Sequence, residues 1–255
     1  MRLSVRFALF AAALLAVCVP VGAAAQAAPG SSSSSQTPSV QAPQSQASPA
    51  YIAIDPLAGV RYDNKWDVSV ELAYDHFKAG PNLLQGANLG GLSISGSRLL
   101  ANRWRLEGTF RPYVGTSGAA PNTFLDANGN PDSIQGPFVA QYMFAAGPEW
   151  LGPHNKHGAL IAHVLAGGTF GDFQHDLRGQ PTSLVGFYYN QVAPALIMGG
   201  HLQLNRSAHW VFSMTPDAIL TDYATNWGRS SRQLDINAAF SVGLEYKFLP
   251  RHKKK

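Results

Sequence analysis

The C-terminal part of the chain alternates. From Gln233 to Phe248, the residues Leu234, Ile236, Ala238, Phe240, Val242, Leu244, Tyr246 and Phe248 share one parity. Gln233, Asp235, Asn237, Ser241, Glu245 and Lys247 share the other. Period 2 sustained over sixteen residues outruns an ordinary strand and carries no helical repeat. One apolar and one polar face at this length predict a strand between lipid and a polar lumen.

The same parity recurs upstream and predicts seven more strands. The first, 65–77, sets Trp66, Val68, Val70, Leu72 and Tyr74 against Asp67, Ser69, Glu71, Ala73 and Asp75. In the second, 87–98, Leu92 and Ile94 oppose Ser93, Ser95 and Ser97. The third, 104–114, sets Trp104, Leu106, Phe110 and Val114 against Arg105, Glu107, Thr109, Arg111 and Tyr113. The fourth, 138–148, has Phe138, Tyr142 and Phe144 opposite Gln141. The fifth, 159–170, is apolar on both faces except at His163. The sixth, 192–204, places Met198, Leu202 and Leu204 opposite His201 and Gln203. The seventh, 210–221, places Trp210, Phe212 and Met214 opposite Ser213, Thr215 and Asp217. The expected fold is all-β: an eight-stranded antiparallel transmembrane up-and-down β-barrel over 65–248.

The connections alternate too. Tight or modest turns at 99–103, 151–158 and 205–209 alternate with longer loops at 115–137 and 171–191 and a medium one near 222–232. Short turns face the periplasm in such barrels, and an even strand number puts both tails there. Trp66 and Tyr74 stand eight residues apart, which is roughly 20 Å of height on a tilted strand, the spacing of two aromatic girdles. Trp104, Tyr142 and Trp210 are the other girdle candidates.

The N-terminal end reads as an export signal. Arg2 and Arg6 precede an apolar run from Phe7 to Val21, and Ala23, Ala24 and Ala25 form a small-residue cleavage site. A signal peptide over 1–25 is expected, too short to span a membrane. Val17 stands before Cys18 where a lipid anchor would need a small residue, so Cys18 belongs to the discarded run. Residues 26–50, rich in Ser, Gln, Pro and Ala and without charge, read as a disordered linker. Residues 51–64 read as a lead-in to the barrel, and 249–255 as a basic periplasmic tail.

Composition narrows the function. Charged residues make up only 13% and the net charge is +4. Two of the 19 Lys and Arg fall in the first 25 residues and four in the last five, leaving 13 against 15 acidic. No basic stripe remains, and nucleic-acid binding is excluded.

Residues 241–248 resemble the terminal assembly signal of bacterial outer-membrane barrels, with Ser241, Gly243, Tyr246 and Phe248 in its fixed places. That family usually stops at the final aromatic, whereas this chain runs on as L-P-R-H-K-K-K. The segments G-G-L-S-I-S-G-S-R-L-L-A-N-R-W, G-A-L-I-A-H-V-L-A-G-G and T-D-Y also resemble a branch of short barrel proteins, and the resemblance covers 66–248. The chain there resembles the small OmpA- and OmpX-like outer-membrane barrels. The resemblance implies outer-membrane location, a monomer, contact with outer-membrane lipid and lipopolysaccharide, and recognition by the barrel-assembly machinery.

Candidate chemistry lies at lumen parity: Asp67, Glu71, Asp75, Arg105, Glu107, Arg111, Asp217, Asp235, Glu245 and Lys247. An eight-stranded interior is just wide enough for side chains. Mixed charges packed there predict a plug of paired ions over an ion path or a catalytic carboxylate pair. Glu71 and Lys247, on strands that close the barrel, are expected to approach one region. His163 and His201 read as lone lumen imidazoles without a Ser at motif spacing. His154 and His157 read as turn residues, and D-A-N-G-N-P-D (126–132) departs from a calcium loop in its Gly and its last ligand. No catalytic, cofactor or metal site is expected. Phe124, Phe173, Leu184, Phe187, Tyr188 and Tyr189 on the long loops are expected to be exposed, for an extracellular ligand or lipopolysaccharide. The expected role is structural or surface-interacting and not enzymatic. The competing reading is a small pore or a lipid-modifying enzyme using a lumen or rim His and Ser.

Overall fold

The computed structural model describes residues 55–249, except 82, 84, 120–121, 126–127 and 227–228, and omits the side chains of 122, 225–226 and 229–233. The signal peptide, the linker, residues 51–54, Asp126 and the tail from 250 lie outside the described residues.

The elements in chain order are β1 (Trp66–Phe77), β2 (Ala87–Ala101), β3 (Trp104–Thr116), β4 (Asn122–Leu125), β5 (Pro131–Ile134), β6 (Phe138–His154), β7 (Gly158–Asp172), α1 (Thr182–Val185), β8 (Gln191–Asn205), β9 (Trp210–Asn226) and β10 (Arg229–Phe248). Eight strands close a barrel in the order β1-β10-β9-β8-β7-β6-β3-β2, with β2 back on β1. Every pairing is antiparallel. β4 and β5 form a separate hairpin within the 115–137 loop, and α1 is one turn within the 171–191 loop.

The face pattern decides what surrounds the barrel. Burial alternates along all of β1, so that Glu71 is 2% exposed and its neighbour Leu72 is 69% exposed. Val70, Ile94, Leu106, Phe144, Leu160, Met198 and Leu244 also point outward. A water-soluble barrel would reverse both faces. A continuous apolar belt has no stable place in water. Closure leaves no strand edge, so the backbone is satisfied internally, as a hydrocarbon solvent requires. The barrel spans a membrane.

Aromatic residues cluster at both ends of the belt. At the short-turn end the ladder joins Trp66 to Phe248, Trp104 to Trp150 and Trp210 to Tyr246. At the other end it joins Tyr74 to Phe240 and Tyr142 to Phe170. Trp66, Tyr74, Trp104, Tyr142 and Trp210 are all exposed.

Three details depart from the sequence pattern. β6 continues through Pro148 to His154, which shrinks the turn before β7 to 155–157. β9 and β10 extend to Asn226 and from Arg229, so the medium loop near 222–232 is mostly strand. The lumen is not polar all round. Met143, Ala145, Leu165, Ala195, Ile197, Ile219 and Ala239 pack together inside the barrel. Apolar packing here needs no polar partners, and the same strands carry Glu149, His163, His201 and Asp217 to the lumen at other heights.

Candidate functional site

At the short-turn mouth the lead-in covers the lumen. The Tyr62 hydroxyl donates to the Asn155 carbonyl (3.0 Å) and accepts from Asn205 Nδ2 (2.7 Å). The Lys247 ammonium stands 4.2 Å from the Tyr62 ring centroid, a cation–π contact. Burial raises the phenol above its ordinary pKa, against the lowering effect of the Asn205 bond. Two residues on, buried Asn64 donates to Asp67 Oδ2 (3.0 Å).

Behind this latch lies the first ionic layer. Arg105 pairs with Asp67, and its Nε lies 3.4 Å from Glu149 Oε1. Ser97 Oγ donates to Glu149 Oε2 (2.5 Å). Lys247 donates to Gln203 Oε1 (3.1 Å) and Asn205 Oδ1 (3.4 Å). Gln203 Nε2 in turn donates to Glu245 Oε2 (2.5 Å). Glu71 and Lys247 do not share this layer. The β1–β10 register sets Asp67 opposite Lys247 and Gly243 opposite Glu71. Four residues along a strand separate Lys247 from Glu71, beyond a salt bridge.

The second layer sits deeper. Glu71 accepts from Ser241 Oγ (2.6 Å) and from Thr215 Oγ1 (3.3 Å). Arg111 Nη1 lies 2.5 Å from Asp217 Oδ2, with both side chains buried. The two histidines are not lone. His163 Nδ1 is 2.7 Å from Glu107 Oε2 and Nε2 is 2.9 Å from Asp217 Oδ1. His201 Nε2 is 3.3 Å from the same Glu107 oxygen and 3.2 Å from His163 Nδ1. Gly199 makes this meeting feasible. It faces both His163 on β7 and Asp217 on β9, and a Cβ there would collide with the Asp217 carboxylate.

The long-loop mouth is closed by rings. Phe77, Phe173, Tyr188 and Tyr223 pack with centroids 5.3–5.9 Å apart. Leu89, Tyr113, Leu177 and Phe187 complete the cluster. Tyr188 donates to Asp235, which holds that lumen acid apart from the ionic layers. Phe173, Phe187 and Tyr188, expected to be exposed, are therefore buried. The 171–191 loop folds into the barrel because its aromatic surface is better placed among rings than in water. Leu184 and Tyr189 are half-buried, and Phe124 packs against the cluster edge.

Asn64, Tyr62 and Glu149 complete the lumen but escape the parity rule. The first two precede the first strand, and Glu149 follows a proline that reads as a strand end. His154 and His157 form no pair: the His154 Nδ1 hydrogen bond goes to Gly152 O (2.9 Å), and His157 is exposed. Among the terminal-signal residues, Ser241 is inside and Tyr246 packs between Trp210 and Phe248, each 5.0 Å away. At Gly243 a side chain would run into the backbone of Val70 and Glu71.

No protein-family model matches the chain, and no curated protein does. Among solved structures it is similar to Ail, the attachment invasion locus protein of Yersinia pestis, in complex with the heparin analogue sucrose octasulfate. The identity is 17% over 73% of this chain and 100% of that one, with a TM-score of 0.41. For Neisserial surface protein A the figures are 13%, 72%, 97% and 0.47. For E. coli outer membrane protein W they are 13%, 72%, 98% and 0.36. The fold itself rests on closure, strand number, antiparallel order and the inverted faces. By these the chain has the fold of the small eight-stranded outer-membrane β-barrels.

Proposed function

We propose that this protein is an integral outer-membrane barrel with a sealed lumen, which acts as a structural or surface-contact element. The observation that carries the reading is the succession of buried groups along the interior: a Tyr62 latch, two ionic layers and an aromatic stopper. With the loop aromatics turned inward, contact falls to what the loops leave outside. Leu125 on the β4–β5 hairpin is 66% exposed. Arg178 Nη1 lies 3.0 Å from Asp132 Oδ2, tying the 171–191 loop to the same hairpin. Both tails then lie in the periplasm. The reading includes no catalysis, because His163 and His201 are engaged with buried carboxylates and away from either rim.

Planar-bilayer recording of the refolded full chain tests this directly. No sustained unitary conductance is expected. Steady channels would move the function to transport, and hydrolysis of phospholipid by the same sample would move it to an enzyme.

The terminal signal is tested separately. Tyr246→Ala and Phe248→Ala are each expected to lower the heat-modifiable, membrane-inserted fraction several-fold, since both remove girdle rings beside the closing β1–β10 seam. Full insertion of the double variant would show that the signal lies elsewhere.

A further inference from the structure

The lumen carries more acid than base. Among the described residues, eight carboxylates are buried against three Arg and Lys side chains. The surplus has a focus at Glu107, His163 and His201, one ligand atom from each lying within 4.8 Å of the others.

The outer contacts of the two rings fix their tautomers. His163 Nε2 faces Asp217 Oδ1, an acceptor, so Nε2 holds the hydrogen and Nδ1 presents a lone pair. Thr215 Oγ1 donates to Glu71, so toward His201 Nδ1 it accepts, and His201 Nε2 presents a lone pair. With both rings neutral, His163 Nδ1, His201 Nε2 and Glu107 Oε2 aim three lone pairs at one point with no hydrogen among them. Such convergence is repulsive without a cation. Glu107 Oε1, buried in the same place, has no hydrogen-bond partner among the described residues.

The spacing suits an ion. The three ligand atoms stand 2.7, 3.2 and 3.3 Å apart. Three N and O ligands held tetrahedrally at zinc distances stand about 3.3 Å apart. Only the His163–Glu107 edge must open, by roughly half an ångström on that geometry. The surrounding groups match too. A carboxylate behind one metal-bound imidazole and a hydroxyl behind the other are the partners that orient such ligands. We propose that Glu107, His163 and His201 bind one divalent transition-metal ion, Zn2+ foremost, in the barrel lumen, with Asp217 and Thr215 holding the rings. The ion offsets part of the acid surplus and ties β3, β7 and β8 together. Because the site lies between the latch and the stopper, it loads as the barrel assembles.

The test uses the full chain refolded with and without Zn2+, desalted and analysed for metal. About one Zn2+ per chain is expected, with a raised unfolding temperature that chelator present during refolding abolishes. Zinc-edge X-ray absorption on the wild type should show two imidazoles and oxygen, which needs no variant. Glu107→Gln, which keeps shape, and His201→Ala should each weaken retention at least tenfold. No stoichiometric uptake and no metal-dependent stability would overturn the proposal and leave protons closing the cluster. Uptake without two imidazoles in the absorption spectrum would overturn it as well. Conductance does not bear on this outcome, so the metal site and the sealed lumen stand or fall separately.

Discussion

Replacing Arg105 with Ala should destabilise the barrel by about 3–5 kcal/mol, the cost of leaving buried charge without its partner. Arg105 faces both Asp67 and Glu149, and all three are buried. Its loss strands two acids on one layer, beside Glu245. Urea titration in detergent micelles, with the heat-modifiable band as the folded signal, gives the size of the loss. Combining the change with Asp67→Asn and Glu149→Gln should recover most of it. A loss under about 1 kcal/mol would mean that the layer is hydrated and the lumen open to water.

Placing Arg at position 70 should cost about 2–4 kcal/mol, because Val70 lies in the middle of β1 on the lipid face. Ser69→Arg, one residue away, meets a different obstacle. Ser69 Oγ lies 2.6 Å from Ser95 Oγ, its partner on the neighbouring strand β2, and both are buried on the lumen side, where a guanidinium must compete for space with packed side chains. The first variant should recover in a thinner bilayer or with depth-dependent thinning, and the second should not. If position 70 takes Arg freely and is labelled by water-soluble reagents, the belt is not in lipid.

Most of the wall was legible because parity survives wherever the two solvents differ. β1 and β10 show it residue by residue, and the eight barrel strands lie where the alternation places them. It failed where both sides are apolar. Leu165 and Ile197 face inward, yet sequence offers no contrast with the lipid side. The charged lumen residues were legible one at a time, but their partners were not. Partnership depends on register across strands far apart in the chain, and a shift of four residues separates Glu71 from Lys247. His163 and His201 looked solitary for the same reason: they stand 38 positions apart in the chain, and only the β7–β8 ladder makes them neighbours. The loop aromatics misled because an apolar residue in a loop carries no mark of whether it points to solvent or back into the barrel.

The latch at the short-turn mouth sets an order of events. Tyr62 precedes every barrel strand, yet it bonds Asn205, 143 residues later, and rests under Lys247 on the closing strand. Contacts so distant in sequence form late. A segment made before any barrel strand therefore cannot settle until β8 and β10 are in place, and its docking reports that the ring is complete. A fluorophore at the lead-in would time closure itself, distinct from insertion of the first hairpins. Tyr62→Ala should leave the walls assembled and remove only that final step.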